Sequence, residues 1–127
     1  MKRLVLLLVI AAGLVLPGVA QAGCMATVGL SSLPKPGLEP GTPWIVTIRV
    51  LQHGRTPMPD AKPAVRIRNA AGKLVVFKAR KTARVGSYRA RVVFPAAGRY
   101  RLGVYDGFPH AACAKVHTFK PVVIAAV

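Results

Sequence analysis

Acidic residues are almost absent from this chain. Three Asp and Glu residues stand against 19 Lys and Arg residues, which gives a formal net charge of +16 at pH 7. Hydrolytic enzymes that use paired carboxylates need two acids in one site, and only Asp60 and Asp106 are candidates for such a pair. Ser87 has no glycine-flanked nucleophile elbow around it, and the sequence contains no phosphate-cradling glycine loop. We therefore expect this protein not to be an enzyme.

Long hydrophobic runs are also missing, with one exception at the beginning of the chain. Lys2 and Arg3 precede an apolar run over residues 4–16, and Ala20-Gln21-Ala22 has the small-x-small pattern that signal peptidase cleaves. This run is too short for a membrane span, which needs about 20 residues. We expect a secretory signal peptide at residues 1–22 and a mature domain at 23–127, with no transmembrane segment after cleavage.

The same segment permits a second interpretation. Gln21-Ala22-Gly23-Cys24 resembles the end of a bacterial lipobox, in which Cys24 would become the lipidated first residue. Such boxes have an aliphatic residue three positions before the cysteine, and this chain has Gln21 there. A lipid anchor on Cys24 is therefore the alternative to secretion into the medium or the extracytoplasmic envelope.

Cysteine is scarce, since Cys24 and Cys113 are the only two. In a small exported domain, two cysteines indicate one disulfide in an oxidising compartment. A catalytic or metal-binding thiolate needs a reduced cysteine. The stretch His110-x-x-Cys113-x-x-x-His117 is therefore expected to be a loop held by a disulfide, and a thiol-enzyme site is disfavoured.

Strand patterns account for the chain after the predicted signal peptide, and no helical periodicity is found there. Short strands with a turn every 8–12 residues or so are typical of an antiparallel immunoglobulin-like β-sandwich. We predict one all-β domain of about seven strands. Pro121 interrupts the last of these strands, so we expect that strand to lie at a sheet edge or to contain a bulge. The predicted strands cover residues 24–33, 44–51, 64–68, 74–77, 88–94, 99–104 and 116–124. Their inward positions include Trp44, Val46, Ile48, Val50, Val65, Ile67, Tyr88, Tyr100, Leu102 and Val104.

Strand polarity brings distant loops together. Consecutive strands of an antiparallel sandwich alternate in direction, so loops two apart along the chain share an end. The loops 52–63, 80–86 and 106–115 are therefore expected at one end, and the first strand starts there with Cys24 because it pairs with the second. This topology predicts a Cys24–Cys113 disulfide, and closing a loop of about 90 residues stabilises a fold by up to about 4 kcal/mol.

The same end of the sandwich also contains all the histidines and two of the three acids of the chain, and two interpretations of these residues stay open. Three histidines in an oxidising compartment would suit copper or zinc, which accept imidazole nitrogen readily. Alternatively, His117 packs beside Phe119 and His53 belongs to a turn. Asp106-Gly107 is expected to be turn chemistry. The residues gathered there are His53, Asp60, Asp106, His110 and His117, and the metal hypothesis uses His53, His110 and His117.

Basic residues dominate what remains. Without Lys2 and Arg3, 17 basic side chains face three acids, a net charge of +14. Such a charge favours polyanions, here anionic cell-envelope polymers or lipid head groups. No specific nucleic acid is expected, because exposed aromatic residues for base stacking are scarce. In the alternative interpretation, the arginines only keep exposed strand faces hydrated. The candidate polyanion-binding residues are Arg55, Lys62, Lys78, Arg80, Lys81, Arg84 and Lys115, and the arginines on outward strand faces are Arg66, Arg68, Arg89, Arg91, Arg99 and Arg101.

Three stretches carry a family resemblance, namely "PWIVTIRVLQHGRTPMPDAKPAVRI", "GSYRARVVFPAAGRYRLGVYDGF" and "HTFKPVVI". They contain a strand that ends in Gln-His-Gly, a Gly-x-Tyr-x-Ala strand, and an aromatic-rich strand that ends in Asp-Gly-Phe. From Trp44 to Pro121 the chain resembles the exported bacterial immunoglobulin-like domains of the YtkA-like type, with FixH-like domains as relatives. The resemblance implies an extracytoplasmic, non-catalytic role, sometimes in copper or respiratory-oxidase contexts, and it brings no established ligand residues.

Three functional hypotheses follow. The first is a secreted, non-catalytic binding or accessory module of the cell envelope, which takes a protein or envelope ligand at the end that carries Cys24 and Cys113. The second is an envelope protein that handles copper through its histidines. The third is a basic surface protein or adhesin that binds polyanions.

Overall fold

The computed structural model describes residues 24–127, so the predicted signal peptide and the rest of the lipobox-like segment lie outside the described residues. Residues 24–127 form ten β-strands and one single-turn 3-10 helix at Ala111–Cys113. No helix within them is long and apolar enough to cross a membrane. The strands are β1 Ala26–Leu30, β2 Trp44–Gln52, β3 Thr56–Pro57, β4 Ala64–Asn69, β5 Leu74–Lys78, β6 Arg80–Lys81, β7 Ser87–Val92, β8 Gly98–Tyr105, β9 Val116–Thr118 and β10 Val122–Ile124.

The strands pair into two antiparallel sheets. Sheet I has the order β1-β2-β7-β6, with β3 paired to the end of β2, and sheet II has the order β10-β8-β4-β5, with β9 also paired to β8. The chain therefore passes from one sheet to the other between β3 and β4, between β5 and β6, and between β7 and β8. This arrangement confirms the predicted antiparallel sandwich. The count exceeds seven because β3 and β6 have two residues each and the last strand is split.

The core lies between the two sheets and follows the alternation of the sequence. Val46, Ile48 and Val50 of β2 are fully buried, and the predicted inward residues of β4, β7 and β8 are buried with them. Complete burial of one such side chain stabilises the fold by about 1.5–3 kcal/mol. Phe94 and Tyr100 add an edge-to-face contact with ring centroids 5.0 Å apart. The intervening arginines are thereby directed outward.

Pro121 divides the last strand as the sequence predicts. β9 pairs with the end of β8 through Val116–Tyr105, His117–Val104 and Thr118–Gly103. β10 pairs with the start of the same strand. Because proline has no backbone N–H for the ladder, the edge strand is interrupted between these two pieces.

The predicted shared end is also present. Cys24 and Cys113 form a disulfide with their Cα atoms 5.0 Å apart, within the range that disulfides require. The Lys62 N–H donates to the Gly107 carbonyl at 2.9 Å, which joins two of the three loops. Gly107 has a φ of +63°, and a Cβ there would collide with the Lys62 backbone, so this approach requires glycine.

Candidate functional site

Asp106 organises the loop that carries the disulfide. Its carboxylate is buried, with the residue 1% exposed. One oxygen accepts hydrogen bonds from the backbone N–H groups of Phe108 at 3.0 Å and Lys115 at 3.2 Å. The other lies 2.9 Å from Nε2 of His117 in β9. Asp106 and His117 therefore hold both ends of the loop 106–115. The sequence predicts the Asp106-Gly107 turn but not the contact between Asp106 and His117.

The other two histidines serve separate loops. His53 lies in the turn between β2 and β3 with a φ of 51°. Its backbone N–H donates to the Met25 carbonyl at 2.8 Å. His110 is exposed, and its carbonyl accepts from the N–H of Cys113 at 2.9 Å. Within residues 24–127, no group of three or more His, Cys, Asp or Glu side chains is placed to hold a metal ion. The three histidines of the metal hypothesis are therefore not assembled into a centre there.

Tyr88 anchors the loop 53–63 to sheet I. Its hydroxyl donates to the Met58 carbonyl at 2.5 Å and accepts from the Ala61 N–H at 3.0 Å. Desolvation by burial raises the pKa of Tyr88 above its usual 10.0. A tyrosine hydrogen bond to a neighbouring loop is common in immunoglobulin-like sandwiches. Here it fixes the segment that carries Asp60 and Lys62.

A groove with a volume of about 930 Å³ lies where the chain crosses from β5 to β6, and we term it the arginine groove. Arg80 of β6 is paired directly with Arg89 of β7, and Arg91 is two residues further along the same face of β7. Lys78 and Lys81 complete the basic lining. The residues around the groove are Ile45, Val76, Phe77, Lys78, Arg80, Lys81, Thr82, Ala83, Arg89 and Arg91, without an acid among them.

A second groove of about 780 Å³ continues from the first toward the disulfide end, and we term it the aromatic groove. The two grooves share Val76, Lys78 and Lys81. Its lining adds Lys62 together with the aromatic side chains Tyr88, Tyr105 and Phe108, and it also includes Asp60. Asp60 lies 3.4 Å from the Lys81 ammonium. Both side chains are largely exposed, so this ion pair is weak and leaves the basic character of the junction intact.

The seven predicted polyanion-binding residues divide between these grooves and the surrounding loops. Lys78, Arg80 and Lys81 line the arginine groove, and Lys62 lines the aromatic groove. Arg55, Arg84 and Lys115 are exposed on separate loops and line neither groove.

Arg89 and Arg91 line the arginine groove, although the sequence predicts them only as outward-facing arginines and not among the seven polyanion-binding candidates. Their alternation identifies them as outward-facing, but their proximity to Arg80 depends on the register between β6 and β7. A signal for it does exist in the sequence, because the short loop between β6 and β7 is typical of a hairpin whose strands face each other.

The charge of the grooves is not balanced from within the described chain. In residues 24–127, Asp60 forms an ion pair with Lys81 and Asp106 contacts Nε2 of His117, and neither contact includes an arginine. Glu39 lies in the proline-rich connector between β1 and β2. Arg80, Arg89 and Arg91 of the arginine groove therefore form no ion pair within the described residues, which leaves their guanidinium groups to water and external anions.

Comparisons with protein families, with curated proteins and with solved structures find no match to this chain. The resemblance to the YtkA-like and FixH-like domains therefore stays a prediction.

Proposed function

We propose that this protein is a non-catalytic binding module of the extracytoplasmic cell envelope and that it holds an extended polyanion along the arginine groove. The Cys24–Cys113 disulfide supports an oxidising compartment. The predicted signal peptide supports export to the same compartment.

The opposition of Arg80 and Arg89 carries this proposal. They are a directly facing pair in the register of β6 and β7, and like charges at directly opposite positions destabilise a sheet. Arg91 and Lys78 increase the same repulsion, and the one acid nearby, Asp60, lies outside the lining and forms only a weak, exposed ion pair with Lys81. An anion bound between these side chains removes the repulsion. The site therefore gains more from an anionic ligand than isolated surface arginines would.

The chemistry of the lining indicates the class of ligand. Guanidinium groups bind phosphate, sulfate and carboxylate groups through paired N–H donors. Arg89 and Arg91 are two residues apart on a strand, a separation of about 6.8 Å, so they contact successive anionic groups better than a single one. Exposed Ile45 and Val76 line the same groove and suit the apolar parts of a polymer backbone.

The continuity of the two grooves indicates an extended ligand. Lys78 and Lys81 line both grooves, so a chain that leaves the arginine groove meets further positive charge. Tyr105 and Phe108 then offer partly exposed aromatic rings. A phosphate-containing polymer of the envelope fits this sequence of contacts.

The test is a titration of fluorescently labelled long-chain inorganic polyphosphate with the chain 23–127. Fluorescence polarisation measures binding, and the titration is repeated at several salt concentrations. Arg89→Gln with Arg91→Gln is the test variant. Arg99→Gln with Arg101→Gln is the matched control, because it removes the same charge at the same spacing from β8 in sheet II.

We expect the test variant to weaken polyphosphate binding about tenfold at about 0.15 M salt, and the salt dependence to become shallower. The control is expected to stay within about twofold of the unmodified protein. Equal weakening by both variants would show that only net charge matters and would refute a localised site.

A further inference from the structure

The outer face of sheet II carries four arginines in a compact group, and we term it the sheet II face. Arg66 and Arg68 come from β4, and Arg99 and Arg101 from β8. Arg68 is paired directly with Arg101, so this face also contains two like charges at directly opposite positions. No acid faces them in the register of β4, β5, β8, β9 and β10.

Aliphatic side chains surround these arginines on both margins of the sheet. Leu74 on β5 is 36% exposed and lies opposite Arg68. Val123 on β10 is 66% exposed and lies opposite Arg99, and Val116 on β9 is 42% exposed. Large aliphatic residues are exposed here on three separate strands of one face. Their arrangement differs from that of the arginine groove, where apolar and basic residues share a concave wall.

The shape of the sheet II face also separates it from the arginine groove. The depression between Arg66, Arg68 and Arg101 has a volume of about 220 Å³, against about 930 Å³ for the arginine groove. A depression of this size is too small to enclose a polymer, but the face around it can lie against an extended surface. A surface that offers both phosphates and an apolar layer just beneath them matches both its arginines and its aliphatic margin.

We infer that the sheet II face docks on an anionic lipid bilayer, with the guanidinium groups on head-group phosphates and Leu74, Val116 and Val123 at the level of the interface. Basic residues near an anionic membrane surface and apolar residues that enter the interface contribute to binding together. The outer faces of two packed sheets point in opposite directions. Docking through sheet II therefore leaves Arg89 and Arg91 directed away from the membrane.

Vesicle sedimentation tests this inference. The chain 23–127 is mixed with large unilamellar vesicles of phosphatidylglycerol and phosphatidylcholine in equal parts, and in parallel with vesicles of phosphatidylcholine alone. Arg99→Gln with Arg101→Gln is expected to weaken binding to the anionic vesicles about 30-fold, and Arg89→Gln with Arg91→Gln to change it by less than about threefold. Thermal unfolding of each variant verifies that the fold is retained.

A charge-neutral variant separates a bilayer from head-group phosphate alone. Leu74→Ser with Val123→Ser is expected to weaken vesicle binding about fivefold, while binding of the polyphosphate probe stays unchanged. Equal effects of the two arginine pairs on vesicle binding would overturn the inference, and so would an unchanged affinity in the serine variant. Because polyphosphate titrations of the same variants address the arginine groove, failure here is distinguishable from failure of the proposed function.

Discussion

Arg80 lies opposite Arg89 on the outer face of sheet I, and Arg68 lies opposite Arg101 on the outer face of sheet II. The two pairs have the same chemistry and the same direct register, but their surroundings differ. In sheet I the pair includes β6, an edge strand of two residues, and the sheet ends there in a groove. In sheet II the pair joins β4 and β8, two longer strands with neighbours on both sides.

This difference shows how strand length turns the same side chains into different surfaces. A short edge strand leaves room beside it, so Lys78 and Lys81 approach Arg89 and Arg91 around a concave space. Long paired strands fill that room with backbone, so the arginines of sheet II stand on a nearly continuous face with aliphatic margins. We therefore assign a polymer to the first surface and a bilayer to the second.

Removal of the disulfide is expected to have the largest effect on the fold and none on the contrast between the faces. Cys24 precedes β1 of sheet I, and Cys113 follows β8 of sheet II at a sequence separation of 89 residues. Cys24→Ser with Cys113→Ser is expected to lower the free energy of unfolding by about 4 kcal/mol, measured by urea denaturation. At a temperature where the variant is folded, polyphosphate and vesicle affinities should stay within about twofold of those of the parent, since the arginines of both surfaces lie on strands and not in the loop that carries Cys113. An unchanged free energy of unfolding would contradict the expected loss of stability. Selective loss of binding to one ligand would contradict the expectation that both affinities are retained.

The two buried tyrosines offer an intermediate comparison between the sheets. Tyr88 in sheet I satisfies two buried backbone groups, those of Met58 and Ala61. Tyr100 in sheet II donates once, to the carbonyl of Ala96 at 2.8 Å, and Ala96 is exposed to water. We expect Tyr88→Phe to cost about 2 kcal/mol of stability and Tyr100→Phe about 1 kcal/mol. Chemical denaturation of both variants checks the order, and a larger loss for Tyr100→Phe would contradict it.

Charge reversal is expected to give the smallest change in stability and a sharp division of function. Arg80→Glu places an acid opposite Arg89, and Arg101→Glu places one opposite Arg68. Each should raise the free energy of unfolding by about 0.2–1 kcal/mol, because a like pair becomes an opposite pair. We expect the first variant to lose polyphosphate binding and the second to lose vesicle binding. If each variant were less stable than the parent, the repulsion that we infer on the two faces would be absent.

Much of the fold is predictable from the sequence because each main strand contributes several residues of alternating character. Val46, Ile48 and Val50 define an inward face without any knowledge of the partner strand. Strand polarity alone then predicts the shared end and the Cys24–Cys113 pair. In the same way, the missing N–H of Pro121 predicts the interruption of the last strand.

The candidate sites are less predictable because they depend on distances across strands. Polarity predicts which end of the sandwich His53, His110 and His117 occupy, but not their separation, and the Asp106–His117 contact arises from the pairing of β8 with β9. Two-residue strands such as β6 are too short to show alternation. The proximity of Arg80 to Arg89 and Arg91 therefore becomes visible only in the register of the sheet.

Arginine side-chain NMR tests the central contrast most directly, because each Nε–Hε group reports on its own contacts. With polyphosphate added to the isotope-labelled chain 23–127, we predict that the signals of Arg80, Arg89 and Arg91 shift, while those of Arg99 and Arg101 do not. With lipid nanodiscs that contain phosphatidylglycerol, the pattern should reverse. Uniform shifts of all these arginines with either ligand would contradict two distinct anion-binding surfaces.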